Sequence, residues 1–154
     1  MALEMTGECD LAASRETVYA ALNDENVLKQ CIPGCEEIER LGPDELRAVV
    51  VAKVGPVKAK FKGKVTLSDR EPPSRYRITG EGDGGISGFA KGGALVTLTE
   101  LPEGGTRLVY EVEAQIGGKL AQLGQRLIAG TAKKNADAFF ENLVKLLAPS
   151  EDAA

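Results

Sequence analysis

Histidine and tryptophan are both absent from the 154 residues. The first absence removes a Ser–His–Asp triad, an imidazole acid or base, and a His-ligated metal. The second leaves three Tyr and four Phe as the only large rings. Three cysteines, an odd number, do not make a disulfide framework and read as a reducing cytosol. No apolar run approaches the ~20 residues of a membrane span. Residues 1–8 carry neither the basic stretch nor the apolar core of a secretory signal. Nineteen Lys and Arg against 23 Asp and Glu give a net charge of −4, which does not mark a polyanion binder.

What remains is 43% apolar and 27% charged, the composition of one globular domain. It is expected over 1–148, with a short polar tail at 149–154. Residues 3–11 alternate as a half-buried strand. Ser14 then offers an N-cap, with Glu16 in the first turn, for a short helix to about Asn23. A second short helix covers 24–31 and stops before Pro33-Gly34. From 35 to 115 the helical period disappears. Turn signals separate strands at about 36–41, 45–54, 57–69, 75–82, 88–100 and 106–115. The clearest alternation sets Val57, Ala59, Phe61, Gly63, Val65 and Leu67 against Lys58, Lys60, Lys62 and Lys64.

After Gly117-Gly118 the period turns helical and holds to about Leu147, with Pro149 as the stop. That is about 30 residues, ~46 Å if straight. The order predicts an α+β fold. A seven-stranded antiparallel sheet curls around the long C-terminal helix, with two short helices after the first strand. Gly63, Gly80, Gly92, Gly93, Ala59, Ala94 and Ala114 fall on strands. Ala121, Gly124, Ala129, Gly130, Ala132 and Ala136 fall on the helix. Side chains this small either let helix and sheet pack close or leave a hole between them.

Five strings narrow the reading: IPGCEE at 32–37, KVGPVKAKFKGKVTL at 53–67, GFAKGGALVTL at 88–98, GGKLAQLGQRLI at 117–128 and KKNADAFF at 133–140. Together, over residues 2–147, they resemble the carbon monoxide dehydrogenase CoxG family, within the helix-grip, START-like (SRPBCC) superfamily. The resemblance implies a non-catalytic accessory of a molybdenum hydroxylase such as aerobic CO dehydrogenase. It implies a cytoplasmic protein, peripheral at the inner face of the cell membrane, holding a hydrophobic ligand between sheet and helix. Pocket and context together point to an isoprenoid quinone, with no covalent cofactor and no metal. Some members of the family continue into a long C-terminal extension, where this sequence stops after APSEDAA.

Phe61, Tyr76, Ile78, Phe89, Leu95, Tyr110, Val112, Leu123, Leu127, Ile128 and Phe139 are the candidates for facing inward and binding the ligand. Any one of them serves a plain core equally well; as a set they can line a pocket, with the Tyr110 hydroxyl as a polar handle for a quinone carbonyl. Cys31, Pro33, Gly34 and Cys35 are expected at the pocket rim. Two cysteines four apart do not make a metal site when only Cys9 is left to join them. The glycine-rich 82–88, GDGGISG, lacks the GK[ST] ending of a phosphate loop. It reads as a mobile hairpin connection, with Ile86 at the rim and, like Phe89, an apolar candidate for touching a membrane. Residues 47–77 hold nine basic and two acidic side chains. Lys58, Lys60, Lys62 and Lys64 are then either a solvated strand face or a docking face for anionic lipid or an acidic partner. Nucleic acid is excluded by the lack of interleaved exposed aromatics. Two other readings stand beside the carrier. One is a structural tether with a filled core. The other is a cyclase- or hydratase-like enzyme working through Tyr76, Tyr110, Cys9 or a carboxylate.

Overall fold

The computed structural model describes residues 1–148. The expected tail, 149–154, and the helix stop at Pro149 lie outside the described residues. The chain runs β1 (Ala2–Leu11), α1 (Arg15–Leu22), α2 (Glu25–Cys31), β2 (Cys35–Gly42), β3 (Glu45–Val54), β4 (Val57–Glu71), β5 (Arg75–Asp83), β6 (Phe89–Glu100), β7 (Thr106–Gly117) and α3 (Gln125–Leu147). Single 3-10 segments lie at Gly85–Ser87 and Gly118–Leu123.

Local chemistry accounts for most of the boundaries. The Ser14 hydroxyl accepts from the Thr17 N–H at 3.2 Å and the Asp24 carboxylate accepts from the Asn26 N–H at 2.8 Å, which starts α1 and α2. The turn after α2 bends at Gly34, whose φ of +75° suits glycine. A Cβ there would lie 2.0 Å from the Val51 carbonyl oxygen. That closeness allows the Val51 N–H to donate to the Gly34 carbonyl at 2.9 Å, so the sheet edge begins at the turn itself.

The long helix differs from the expectation. Residues 118–123 form a 3-10 turn, and the α-helix begins only at Gln125. The reason is Gly124, whose φ of +94° departs from any helical path. The helix therefore spans 23 residues, ~35 Å.

The seven strands form one antiparallel sheet in the order β1-β7-β6-β5-β4-β3-β2. Strands 2 to 7 are a meander, and β1 returns beside β7. Cross-strand rows define the inner face: Leu67 opposite Ile78, Tyr76 opposite Val96, and Val96 opposite Tyr110. α3 lies in the curve of the sheet and comes closest to β1, β3 and α2.

The core is divided. One cluster joins Val18, Leu22, Cys31, Tyr76, Leu98, Leu108 and Leu143 where α1, α2 and the last turns of α3 meet the sheet. A second joins Leu3, Val54, Ile116, Leu120 and Ile128 at the opposite end. Replacing the fully buried Leu143 by Ala is expected to lower the unfolding free energy by ~2–5 kcal/mol. Leu146→Ala, on the same helix but exposed, is expected to stay within ~0.5 kcal/mol. Urea denaturation followed by circular dichroism measures both.

Candidate functional site

Between the two clusters the inner face carries small residues. Gly63, Gly80, Gly82 and Gly92 lie in adjacent rows with Ala48, Ala94 and Ala114. Val50, Val65, Ile78, Val112 and Phe139 point into the same region and are only partly buried. Val65, Ile78, Val112 and Phe139 pack against the first cluster, so the surfaces that sheet and helix turn toward each other here are apolar. A Cβ built on Gly80 meets nothing closer than 3.6 Å, its neighbours being the Lys64 carbonyl and the Val65 side chain. A methyl group at Gly80 is therefore accommodated in ordinary van der Waals contact.

α3 passes beside β3. Near the start of the helix Leu127 packs on Gly55, in the turn from β3 to β4. At the other end the Asn142 amide donates to the Cys31 carbonyl at 3.0 Å and ties α3 to α2. Residues 127, 131, 135 and 142 follow one another along one side of the helix. Thr131 is partly exposed and Asn135 exposed between the two ties. Pro33 and Gly34 form the turn between α2 and β2.

Phe61, Tyr76, Ile78, Tyr110, Val112, Ile128 and Phe139 all face inward. Tyr76 and Ile128 are core residues, one in each cluster, and Leu123 packs half-buried on the second. Two of the inward assignments are corrected by register. Leu95 pairs with Arg77 and Glu111, and Phe89 with Asp83, which puts both on the outer face. The run Gly-Gly-Ala-Leu-Val is apolar in both parities, so alternation there had no phase. Phe89 lies over Gly117 instead, its ring within 2.2 Å of where a Cβ would be. Leu127 is 38% exposed and packs on Gly55 rather than between sheet and helix. Cys31 is also corrected: it is wholly buried in the first cluster, not at a rim. Cys35 is half-buried, with its thiol directed at the Glu37 carbonyl, 3.4 Å away. Ile86 stands 86% exposed.

The Tyr110 ring stacks on Phe140 at 5.0 Å, a residue absent from the expected lining. Its spacing from Ala136 and Leu147 was the available signal. The Tyr110 hydroxyl lies over Gly7 of the edge strand β1, where any side chain would collide with it. Burial raises its pKa, Asp137 adds to this and Lys133 opposes it. The hydroxyl is thus turned toward β1 and the outer side of α3, not toward β3.

The inner rows around Gly80 bear no carboxylate among the described residues. Burial pushes the Tyr76 phenol far up. Burial also raises the thiols of Cys9, Cys31 and Cys35; Asp10 adds to it at Cys9, and Lys29 works against it at Cys35. Among the described residues no cluster of three metal-ligating side chains occurs.

The outer face is charged. A depression of about 750 Å³ runs over Gly93 between Arg77, Lys91, Glu111 and Glu113. A second, of about 560 Å³, lies beside Lys62, Lys64 and Glu81. Both mix charged side chains with apolar surface, from Leu95 and Ala114 in the first and from Phe89 and Ala90 in the second. The lysine row is exposed, but Lys60 pairs with Glu36 at 3.1 Å and Lys64 with Glu45 at 3.3 Å. No helix of the described chain is long and apolar enough to cross a membrane.

A curved antiparallel sheet holding one long helix against its apolar face defines the helix-grip, START-like class. Solved structures agree. A START superfamily protein from Mycobacterium smegmatis matches with TM-score 0.71 at 15% identity, over 94% of this chain and 96% of that one. The Zhui aromatase/cyclase from Streptomyces sp. R1128 matches with TM-score 0.70 at 14% identity, over 96% and 94%. Both likenesses are of fold. A conserved protein from Geobacillus kaustophilus is nearer, with TM-score 0.89 and 33% identity over 95% of each chain. The carbon monoxide dehydrogenase CoxG family matches residues 7–148, and the chain belongs to it. A comparison with curated proteins finds no match.

Thiol chemistry provides a check on the site. With all three thiols raised, 5,5′-dithiobis(2-nitrobenzoate) at pH 7 is expected to label the folded protein more slowly than free cysteine. Cys31 is expected to react only on unfolding. The rate should climb as pH rises past the ordinary thiol range. Rapid labelling of one cysteine at pH 7 would return a nucleophile to the site.

Proposed function

We propose that this protein is a non-catalytic carrier for a molybdenum hydroxylase of the CO dehydrogenase kind. It holds an apolar lipid of the isoprenoid quinone class in the groove between sheet and α3. The observation that carries this reading is the partly exposed apolar lining around Gly80. Apolar side chains are left open to solvent in a folded domain where a ligand covers them. Family membership supports the accessory role, and the name of the family supplies the hydroxylase as partner.

Affinity comes from burying hydrocarbon, at ~25 cal/mol per Å² removed from water, less the cost of ordering the ligand. A flexible isoprenoid suits a groove with few polar groups, because nothing within it demands a fixed orientation. The apolar lining and the raised phenols argue for binding without bond making. Leu127 against Gly55 and Asn142 against Cys31 bound the gap through which the ligand passes.

Organic extraction of the purified protein, followed by mass spectrometry, is expected to release a quinone near one per chain. Gly80→Leu fills the groove from a position with room for a Cβ. It is expected to keep the thermal midpoint and to lower the quinone load at least tenfold. An empty extract from the parent protein, together with no uptake of added quinone, overturns the carrier reading.

A further inference from the structure

We infer that the outer edge of β1 is a docking site for a basic, extended segment of another protein, which adds to the seven-stranded sheet as a further strand. β1 is one of the two edge strands. Its ladder with β7 has a readable phase. The Met1 N–H donates to the Ile116 carbonyl at 2.9 Å, and the Ile116 N–H donates back at 2.8 Å. Hydrogen-bonded pairs alternate along an antiparallel ladder, so Leu3, Met5, Gly7 and Cys9 also bond to β7. The N–H and C=O groups of Ala2, Glu4, Thr6, Glu8 and Asp10 point the other way, off the sheet. Among the described residues none of these N–H groups has a partner, and the Asp10 carbonyl meets only the Cys9 thiol, 3.8 Å away.

Proteins commonly blunt such an edge with lysine, proline, a bulge or a covering element. β1 contains neither lysine nor proline. Its register with β7 runs unbroken from Ala2 to Leu11. α3 meets the strand on the inner face, where Met5 and Cys9 pack against the first cluster. Glu4, Thr6, Glu8 and Asp10 are all exposed. The other edge is protected. β2 has two register shifts against β3, and α2 packs on it.

Charge selects the occupant. Glu4 stands directly opposite Glu113, in a pair that is not hydrogen-bonded and so brings its side chains close. Glu111 lies opposite Thr6, between Glu4 and Glu8. None of these four carboxylates pairs with a basic side chain among the described residues. Arg107 is taken by Asp10, at 2.9 and 3.1 Å. Like charges directly opposite cost stability, and basic side chains arriving beside Glu4 and Glu8 offset that cost. A second copy of β1 does the reverse, since antiparallel pairing centred on Thr6 sets Glu4 against Glu8 twice over. The half-buried Met5 and Cys9 alternate with the glutamates, so the incoming strand alternates basic with apolar residues. Strand addition of this kind draws affinity from main-chain hydrogen bonds and selectivity from alternate side chains. The edge lies outside the space between sheet and α3, so the site stands without the carrier reading.

The probe is a fluorescein-labelled octapeptide, Thr-Lys-Val-Lys-Val-Lys-Val-Thr, titrated with the full chain at low ionic strength. Anisotropy is expected to show saturable binding that weakens as salt is added. The amides of Glu4, Thr6 and Glu8 are expected to exchange quickly with deuterium in the protein alone and to become protected with the peptide. A peptide with Glu in place of Lys is expected not to bind. N-methylation of the lysine amides keeps the charges and removes the donors that meet β1; it is expected to weaken binding at least tenfold. Thr6→Pro removes one outward N–H at an edge position, where proline is tolerated, and is expected to cost at least tenfold in binding with the thermal midpoint kept. Glu4→Lys/Glu8→Lys leaves the backbone intact and is expected to exchange the preference, taking the glutamate peptide over the lysine one. The inference is overturned if the parent protein shows no saturable binding, or if the N-methylated peptide binds as tightly as the unmodified one. Protection that appears elsewhere and not on β1 overturns it as well. So does a dimer of the parent protein that Thr6→Pro abolishes, which would put a second copy on the edge.

Discussion

Fully buried large side chains are grouped at the two ends of the inner sheet face, and the rest of the structure depends on that distribution. Tyr76, Leu98, Leu108 and Leu143 close one end, and Leu3, Ile116, Leu120 and Ile128 close the other. Each cluster ties α3 to the sheet at one point. Between those points the rows through Gly63, Gly80, Gly82 and Gly92 offer no side chain to meet the helix. The helix is held at both ends, and along its middle Phe139 and Phe140 supply the volume that these rows lack.

The same arrangement separates stability from function. Deleting atoms from either cluster costs folding free energy, while adding atoms in the middle costs mainly space for a ligand. The ties at Asn142 and Leu127 have different strengths. Asn142 makes a directed hydrogen bond beside a fully buried cysteine, whereas Leu127 makes an apolar contact with a glycine turn at the surface. The second is the weaker link, and it lies at the end that carries Ile86. The other end is pinned, with Arg40 donating to the Glu25 carboxylate and to the carbonyls of Asn23, Gly42 and Pro43.

Much of this was legible in the residues. The strand order, the two capped helices and the lysine alternation follow from turn chemistry and period. The inward parity of Phe61, Tyr76, Ile78, Tyr110 and Val112 follows from strict alternation with polar neighbours. Legibility failed where alternation has no phase. In 92–96 every residue is small or apolar, and only the pairing of Tyr76 with Val96 decides that Leu95 points out. It failed again at Gly124, since one glycine inside an amphipathic pattern does not announce its sign of φ. Cys31 was misplaced for a third reason: a residue beside a turn looks peripheral until α3 is laid over it.

The sequence by itself determined the class of fold, the small residues along the sheet and helix, and the family. Those are properties of local preference and pattern, written residue by residue. Only the tertiary structure decided that the small residues fall in adjacent rows between two core clusters. It also decided that β1 lies beside β7 with its other edge unpaired, which brings Glu4 and Glu113, more than 100 positions apart, face to face. Antiparallel pairing sets both, because each reversal of the chain returns distant residues to register across the sheet.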